Sequence, residues 1–429
     1  MSSLFNRGKL HIEKRTFPEW MVFVIFIFPF AYGFLTQFLP LPRAIRFVLD
    51  GIIAFLCIGF LIRDRFTIKR NVLPSFVLIV LFFTYTLVVY AMNFQSPFYY
   101  IWGVRNLFRF YAAFFIFVSF LDEDYANVLL KWFDVLFFLN AIVSVFQFFI
   151  LGVRQDFLGG LFGASGGTNG YTLIFFTIVI SKSLLSTFNG TENVVLCICK
   201  CIVSLLIAAM AEMKFYFFVF ILILALTSVF TQLTKRKLII IIGASLAVVV
   251  GSSLMTYIFD SFESFFTWES FIHYATKEHY SSQKDLNRLS AIPTLMEHYV
   301  TEPARQIFGF GLGNCDTSQI SIFNSAFYRQ YSYLNYTWLT SAMLFLETGF
   351  VGLIFYALFF VICIVYCIRN LKRNAGNRLF CQMGIIMSIF SLILMFYNSS
   401  LRIEAAYMVY FVLALPFLPS TRAGNGGTH

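Results

Sequence analysis

Residues 259–336 form the one long polar stretch in a chain that otherwise runs from apolar segment to apolar segment. The stretch holds His273, His279 and His298, three of the five histidines, together with Arg288, Arg305 and Arg329. It then passes through Phe308-Gly309-Phe310-Gly311-Leu312-Gly313-Asn314 toward an apolar segment carrying Glu347-Thr348-Gly349. Guanidinium groups stay charged and grip phosphate oxygens through a planar fork, whereas a carboxylate or an imidazole can take a proton from an attacking hydroxyl. Residues of both kinds in one polar segment suit chemistry between a phosphate-bearing ligand and a hydroxyl.

Outside that segment the charges are few, and each one held at membrane depth costs roughly 2–3 kcal/mol, so each needs a reason. Arg105 and Arg109 are four residues apart and share a helix face. Glu212 and Lys214 interrupt two apolar runs in Ala211-Glu212-Met213-Lys214-Phe215, and Arg402 and Glu404 lie near another junction. With Arg154, Arg288 and Arg305, the Arg105–Arg109 pair could line a cavity that receives a phosphate. The plainer reading is that the arginines pair with Asp156, Glu212, Glu297 or Glu404 to hold loops, with Lys214 snorkelling from a solvated turn. His298 adjoins Glu297, and either could serve as a base, although a histidine in a polar loop is more often simply solvated. The glycine-rich run 159–170 follows Arg154 and Asp156 and permits close backbone approach to an anion. The histidine spacing fits no metal motif, and Cys197, Cys199 and Cys201 point different ways on a helix, so no metal and no cofactor are expected.

The frame that positions these residues is written in the composition. Hydrophobic residues make up 59% of the chain and charged residues 12%, with a mean hydropathy of +0.79, which excludes an ordinary water-soluble domain. Long apolar stretches without alternation favour helices over a barrel. The expectation is an all-α polytopic bundle of about twelve membrane helices in a single domain, 1–429. They fall near 20–39, 45–62, 74–93, 105–121, 129–151, 169–187, 193–211, 214–232, 238–258, 338–367, 379–397 and 403–419. Within 259–336, short helices are expected over 262–274, along the membrane surface, and over 285–298, kinked at Pro293. Basic clusters (Arg7, Lys9, Lys14, Arg15; Arg63, Arg65, Lys69, Arg70; Lys235, Arg236, Lys237; Arg369, Lys372, Arg373, Arg378) fall on one side of twelve spans. Positive loops stay inside, so both termini are expected in the cytoplasm and 259–336 outside. The net charge of +10 then reflects topology, and no nucleic-acid partner is needed. Cys315 is alone in the large loop, so no disulfide framework is implied.

From Arg288 onward the order of features resembles the O-antigen ligase and polymerase superfamily of bacterial envelope glycosyltransferases. The matching pieces are Asn287-Arg288-Leu289, Glu302-Pro303, Ile307-Phe308-Gly309-Phe310-Gly311-Leu312-Gly313 and Leu346-Glu347-Thr348-Gly349-Phe350-Val351-Gly352-Leu353, with Ala211-Glu212-Met213-Lys214 at the family's basic position. The resemblance implies an enzyme of the bacterial cytoplasmic membrane. Such an enzyme transfers a glycan from a polyprenyl-pyrophosphate carrier to an acceptor hydroxyl on the outer face, without a metal. Its partners would be lipid-linked oligosaccharide, membrane lipid and, optionally, a chain-length regulator. It casts Arg288 with Lys214 and some of Arg105, Arg109, Arg154 and Arg305 as pyrophosphate ligands, and leaves the base open among Glu212, Glu297, His298 and His279. Ligases of the family carry a histidine just before the Glu-Thr-Gly segment. Tyr333-Leu334-Asn335-Tyr336-Thr337-Trp338 contains none, which favours a polymerase extending one lipid-linked glycan with another. The alternatives are a ligase of the same superfamily and a flippase for lipid-linked sugars.

Overall fold

In the computed structural model, residues 16–39, 41–63, 68–231, 234–258, 269, 277, 285–318 and 320–419 are described. His273, His279, the expected surface helix over 262–274 and the N-terminal basic cluster lie outside them. Among the described residues the regular elements are helices. Long ones are α1 (Phe17–Phe38), α2 (Arg46–Arg63), α3 (Leu73–Met92), α4 (Pro97–Phe120), α5 (Glu123–Phe149), α6 (Asn169–Phe188), α7 (Val194–Met210), α8 (Lys214–Val229) and α9 (Lys235–Ile258). Three short helices follow, α10 (Ala291–His298), α11 (Pro303–Phe308) and α12 (Ala326–Tyr331). The chain then returns to the bundle as α13 (Thr340–Arg373), α14 (Arg378–Tyr397) and α15 (Ala406–Ala414).

Each apolar stretch of the sequence is therefore a helix, but seven of the described helices (α1, α3, α4, α5, α6, α13, α14) are long and apolar enough to cross a membrane. The other five expected spans are not among those seven. α7, α8 and α15 are short, and α2 carries Arg46, Asp50 and Arg63. Side chains such as Ile58, Ile142, Val249 and Ile354 stay exposed on the rim, as expected where lipid is the solvent. In the centre, 89% of the apolar window of α6 is buried against 22% for α3, so α6 is the axle and α3 a peripheral helix.

Two local boundaries differ from expectation. The fourth helix begins at Pro97 and not near 105, because Ser96 is extended and Pro97 occupies the first turn, where its missing N–H is no loss. Arg105 and Arg109 consequently sit within α4 and not on its first turns. The expected helix over 285–298 begins only at Ala291, since the Leu286 N–H is held by the Leu334 carbonyl at 2.9 Å. Pro293 lies in the first turn of α10 and introduces no kink there.

Contacts sort the connections into two ends. At one end Gln95 donates to the Leu312 carbonyl (2.6 Å), Arg288 to the Tyr397 carbonyl (3.1 Å) and the Thr340 N–H to the Asn398 carbonyl (3.1 Å). At the other, Lys69 reaches the Val118 carbonyl, Asn71 the Phe417 carbonyl and Asn377 the Glu123 carboxylate. Residues 285–318 and 320–336 of the polar segment before α13 therefore fold onto the same end as the 150–168, 211–213 and 398–405 connections.

Candidate functional site

The site is built where α13 breaks. Gly349 has φ +60° and ψ −166° within the helical run, which only glycine adopts cheaply, and the break leaves the preceding carbonyls without helical partners. The 309–313 loop supplies those partners. Phe310 N–H donates to the Leu346 carbonyl (2.8 Å) and Gly311 N–H to the Glu347 carbonyl (3.0 Å). Tyr85 donates its hydroxyl to the Thr348 carbonyl at 2.7 Å. Gly309, at φ +79°, allows the approach, since a Cβ there would lie 2.5 Å from the Glu347 carbonyl carbon. The two glycine-bearing motifs are thus the two sides of one junction.

Glu347 is fully buried at this junction, and its Oε1 accepts the Gly313 N–H at 2.9 Å. Its Oε2 lies 3.3 Å from Arg402 Nη2, and Arg402 is equally close to Asp316. Asp316 also accepts from the Asn106 amide (2.7 Å), which in turn accepts from Arg105 Nη1 (2.7 Å). Arg105 holds Asp50 through Nε and Nη2 at 2.9 and 2.6 Å and lies over the Phe47 and Trp102 rings. Arg109 lies 3.3 Å from Glu404 and 3.7 Å from Asp50, while the Tyr171 hydroxyl donates to Glu404 at 3.2 Å. Burial pulls the Arg402 guanidinium down, but Glu347 and Asp316 outweigh it and hold the group above its usual value. Arg105, Arg109 and Arg402 are thus tied to Asp50, Asp316, Glu347 and Glu404 in one continuous network. Arg109 Nε and Arg402 Nη1 are buried without a hydrogen-bond acceptor, so this network is not fully satisfied by its own members.

A second cluster adjoins it across the 397–404 turn. Arg288 donates from Nε to the Tyr397 carbonyl and lies 4.7 Å over the Tyr397 ring, on which Phe215 stacks at 3.8 Å. Next to Phe215, Lys214 pairs with Glu212 at 3.2 Å, and Glu212 adopts φ +51° to bend the chain from α7 into α8. Asp156 accepts from the Asn169 amide at 2.5 Å. Asp156 is exposed to solvent on one side, and partial desolvation by its neighbours raises its carboxyl pKa, with Arg288 opposing and Glu212 reinforcing the rise. Arg288, Lys214, Glu212 and Asp156 therefore face one region at the end of α6.

The remaining sequence-derived candidates lie elsewhere. Arg154 is exposed with its guanidinium over Phe148, and Arg305 pairs with Glu302 at 2.7 Å on the outer side of α11. Glu297 and His298 are exposed at the C-terminal end of α10, the His298 ring edge-on to Tyr299. Asp50, Asp316, Asn106 and Tyr171 were not singled out by sequence reasoning. Asp50 carried a usable signal, an acid one turn after Arg46 in an apolar helix, whereas Asp316 and Asn106 look like ordinary loop and helix polar residues. A further set, in which the half-buried Asp134 pairs with the buried Lys182 and Lys200 while Lys200 also meets Glu192 at 2.7 Å, staples α5, α6 and α7 at the opposite end.

No family model matches the sequence, and no curated protein matches it. Fold and composition define the class: an all-helical protein with several membrane-crossing helices and a buried ionic network at one end.

Proposed function

We propose that the protein is a polysaccharide polymerase of the bacterial cytoplasmic membrane. In this reading it has twelve membrane helices, counting the shorter ones, with both termini inside and the broken-helix end outside. It joins a glycan from a polyprenyl-pyrophosphate carrier to a hydroxyl of a second lipid-linked repeat unit. The observation that carries the reading is the meeting of Arg288 and Lys214 with Glu212 and Asp156 around Tyr397. Two cations beside two carboxylates are suited to a leaving diphosphate and an incoming hydroxyl. The acceptor oxygen forms the new bond to the anomeric carbon as the carbon–oxygen bond to pyrophosphate breaks. The hydroxyl proton passes to a carboxylate, and the carrier pyrophosphate leaves against Arg288 and Lys214. Asp156 suits the base because it is open to solvent, is oriented by the Asn169 amide and has its carboxyl pKa raised above the ordinary aspartate value. Within the ionic network, Arg109 reaches the Arg402 carbonyl of the 397–404 turn at 3.5 Å and Arg105 holds Asp50.

Incubation of the purified protein with a lipid-pyrophosphate oligosaccharide is expected to yield longer glycans and freed carrier. Arg288→Ala is expected to abolish both while leaving membrane insertion intact, and unaltered polymer from that variant would remove the site. If a lipid-core acceptor is consumed in place of a second repeat unit, the enzyme is the ligase. Ser321→Cys, at an exposed position, should label from outside intact cells with an impermeant thiol reagent.

A second reading is a transporter of the same lipid-linked glycans. Its support is the break in α13 beside the buried Glu347–Arg402 pair, since transporters place interrupted helices and ionisable groups at their sites. Glycan translocation without carrier release would establish it.

A further inference from the structure

The loop whose N–H groups hold Glu347 also gives Phe310 and Asn314 to the wall of a separate hollow of about 390 Å³. That volume is within the range of about 300–1,000 Å³ typical of small-molecule sites. Its apolar wall is a run of braced rings. Phe310 meets Phe327 at 5.2 Å, Phe327 meets Tyr331 at 4.8 Å, and Tyr331 meets Tyr299 edge-on at 5.4 Å. Glu302, Arg305 and Gln330 line the same hollow beside the rings. Arg305 is held by Glu302 and by its position 4.7 Å over Phe310, yet the two side chains remain 44% and 66% exposed, so both can meet a ligand.

We propose that this hollow is a saccharide-binding subsite. The inference rests on the reading of the protein as a glycan polymerase and deepens it by naming where the glycan of a substrate is held. A sugar ring has an apolar C–H face and a hydroxyl edge, and the hollow matches both. Fixed aromatic faces take the first, while a carboxylate, a guanidinium and an amide give acceptors and donors to the second. The Glu302–Arg305 pair is formally neutral, so the hollow has no excess positive charge to select a phosphate or nucleotide. The pyrophosphate cations Arg288 and Lys214 are not among its lining residues. The hollow therefore takes the sugar portion and leaves the charged leaving group to the Tyr397 cluster.

The test uses the full-length protein in lipid nanodiscs and free probes without carrier. The probes are methyl glycosides and di- to tetrasaccharides of hexoses, N-acetylhexosamines and uronic acids, with uridine diphosphate as control, read by saturation-transfer NMR and titration. Saturable binding to at least one saccharide is expected, weakened about tenfold or more by Tyr331→Ala, as for loss of an aromatic anchor. Gln330→Ala, at an exposed position whose loss does not threaten folding, should weaken it about threefold or more. Absence of saccharide binding, equal binding in both pocket variants, or preference for uridine diphosphate would overturn the subsite. Carrier release is scored separately. Saccharide binding without release defeats the polymerase and keeps the subsite, whereas release with no effect of the pocket variants on binding does the reverse.

Discussion

Replacing Arg402 by methionine keeps much of the side chain's bulk and removes the charge shared by Glu347 and Asp316. The three side chains are 7%, 0% and 8% exposed, so water cannot take the place of the lost guanidinium. Removing one partner of a buried pair costs about 3–5 kcal/mol. Here Glu347 keeps the Gly313 N–H, and Asp316 keeps the Asn106 amide and the Thr317 N–H, so the lower end, about 3 kcal/mol, is expected. The assay is denaturant unfolding in detergent micelles for the wild type, Arg402→Met, Glu347→Gln and the double variant. Because the two side chains share one contact, the double variant should lose about 1–3 kcal/mol less than the sum of the single losses. An Arg402→Met protein within about 0.5 kcal/mol of wild type, or strict additivity, would refute the idea that this network holds the junction.

Gly349→Ala should destabilise by about 1–3 kcal/mol or more, because alanine resists φ +60° and its Cβ would press on the Phe308 nitrogen at 2.6 Å; the same unfolding assay reads it. Asp134→Asn leaves the buried Lys200 with Glu192 and the buried Lys182 with the Leu130 carbonyl. It should cost about 3 kcal/mol, and a neutral outcome would show that the staple is dispensable. Carbon-13 NMR of the Asp156 carboxyl should show titration above the ordinary aspartate value, moving higher in Arg288→Ala and lower in Glu212→Gln. Since the folded state then holds the proton more tightly than the unfolded chain, stability falls as pH rises from the unfolded toward the folded pKa. An unshifted titration in both variants would separate Asp156 from the cluster.

Much of the frame was legible because lipid leaves few choices. Backbone groups without water must bond within their own segment, so each apolar run of adequate length becomes a helix. The count of spans was less legible. α7, α8 and α15 are apolar but short, and α2 mixes Arg46 and Asp50 into its apolar run, so length and hydropathy mark them less clearly than the other seven. The site was half legible. Arg288, Lys214 and Glu212 stood out as rare charges in an apolar chain, and the structure groups them with Asp156. Arg105 and Arg109 stood out for the same reason, yet they are joined to Asp50 and Glu404, in line with the plainer reading that some arginines pair to hold the structure. That reading had named Glu404 but not Asp50, because neither spacing nor hydropathy says which carboxylate a guanidinium will face.

By itself the sequence determined that this chain folds in lipid, where its helices run, and which few charges need a reason. Those properties follow from transfer free energies and backbone satisfaction, which act on each segment separately. Only the tertiary structure decided that the Phe308–Asn314 loop completes the break at Gly349, that Glu347 meets Arg402 and Asp316, and that Arg288 shares a ring with Phe215. Such contacts join residues tens to hundreds of positions apart. Their energies depend on distance and burial in three dimensions, which no local pattern along the chain encodes.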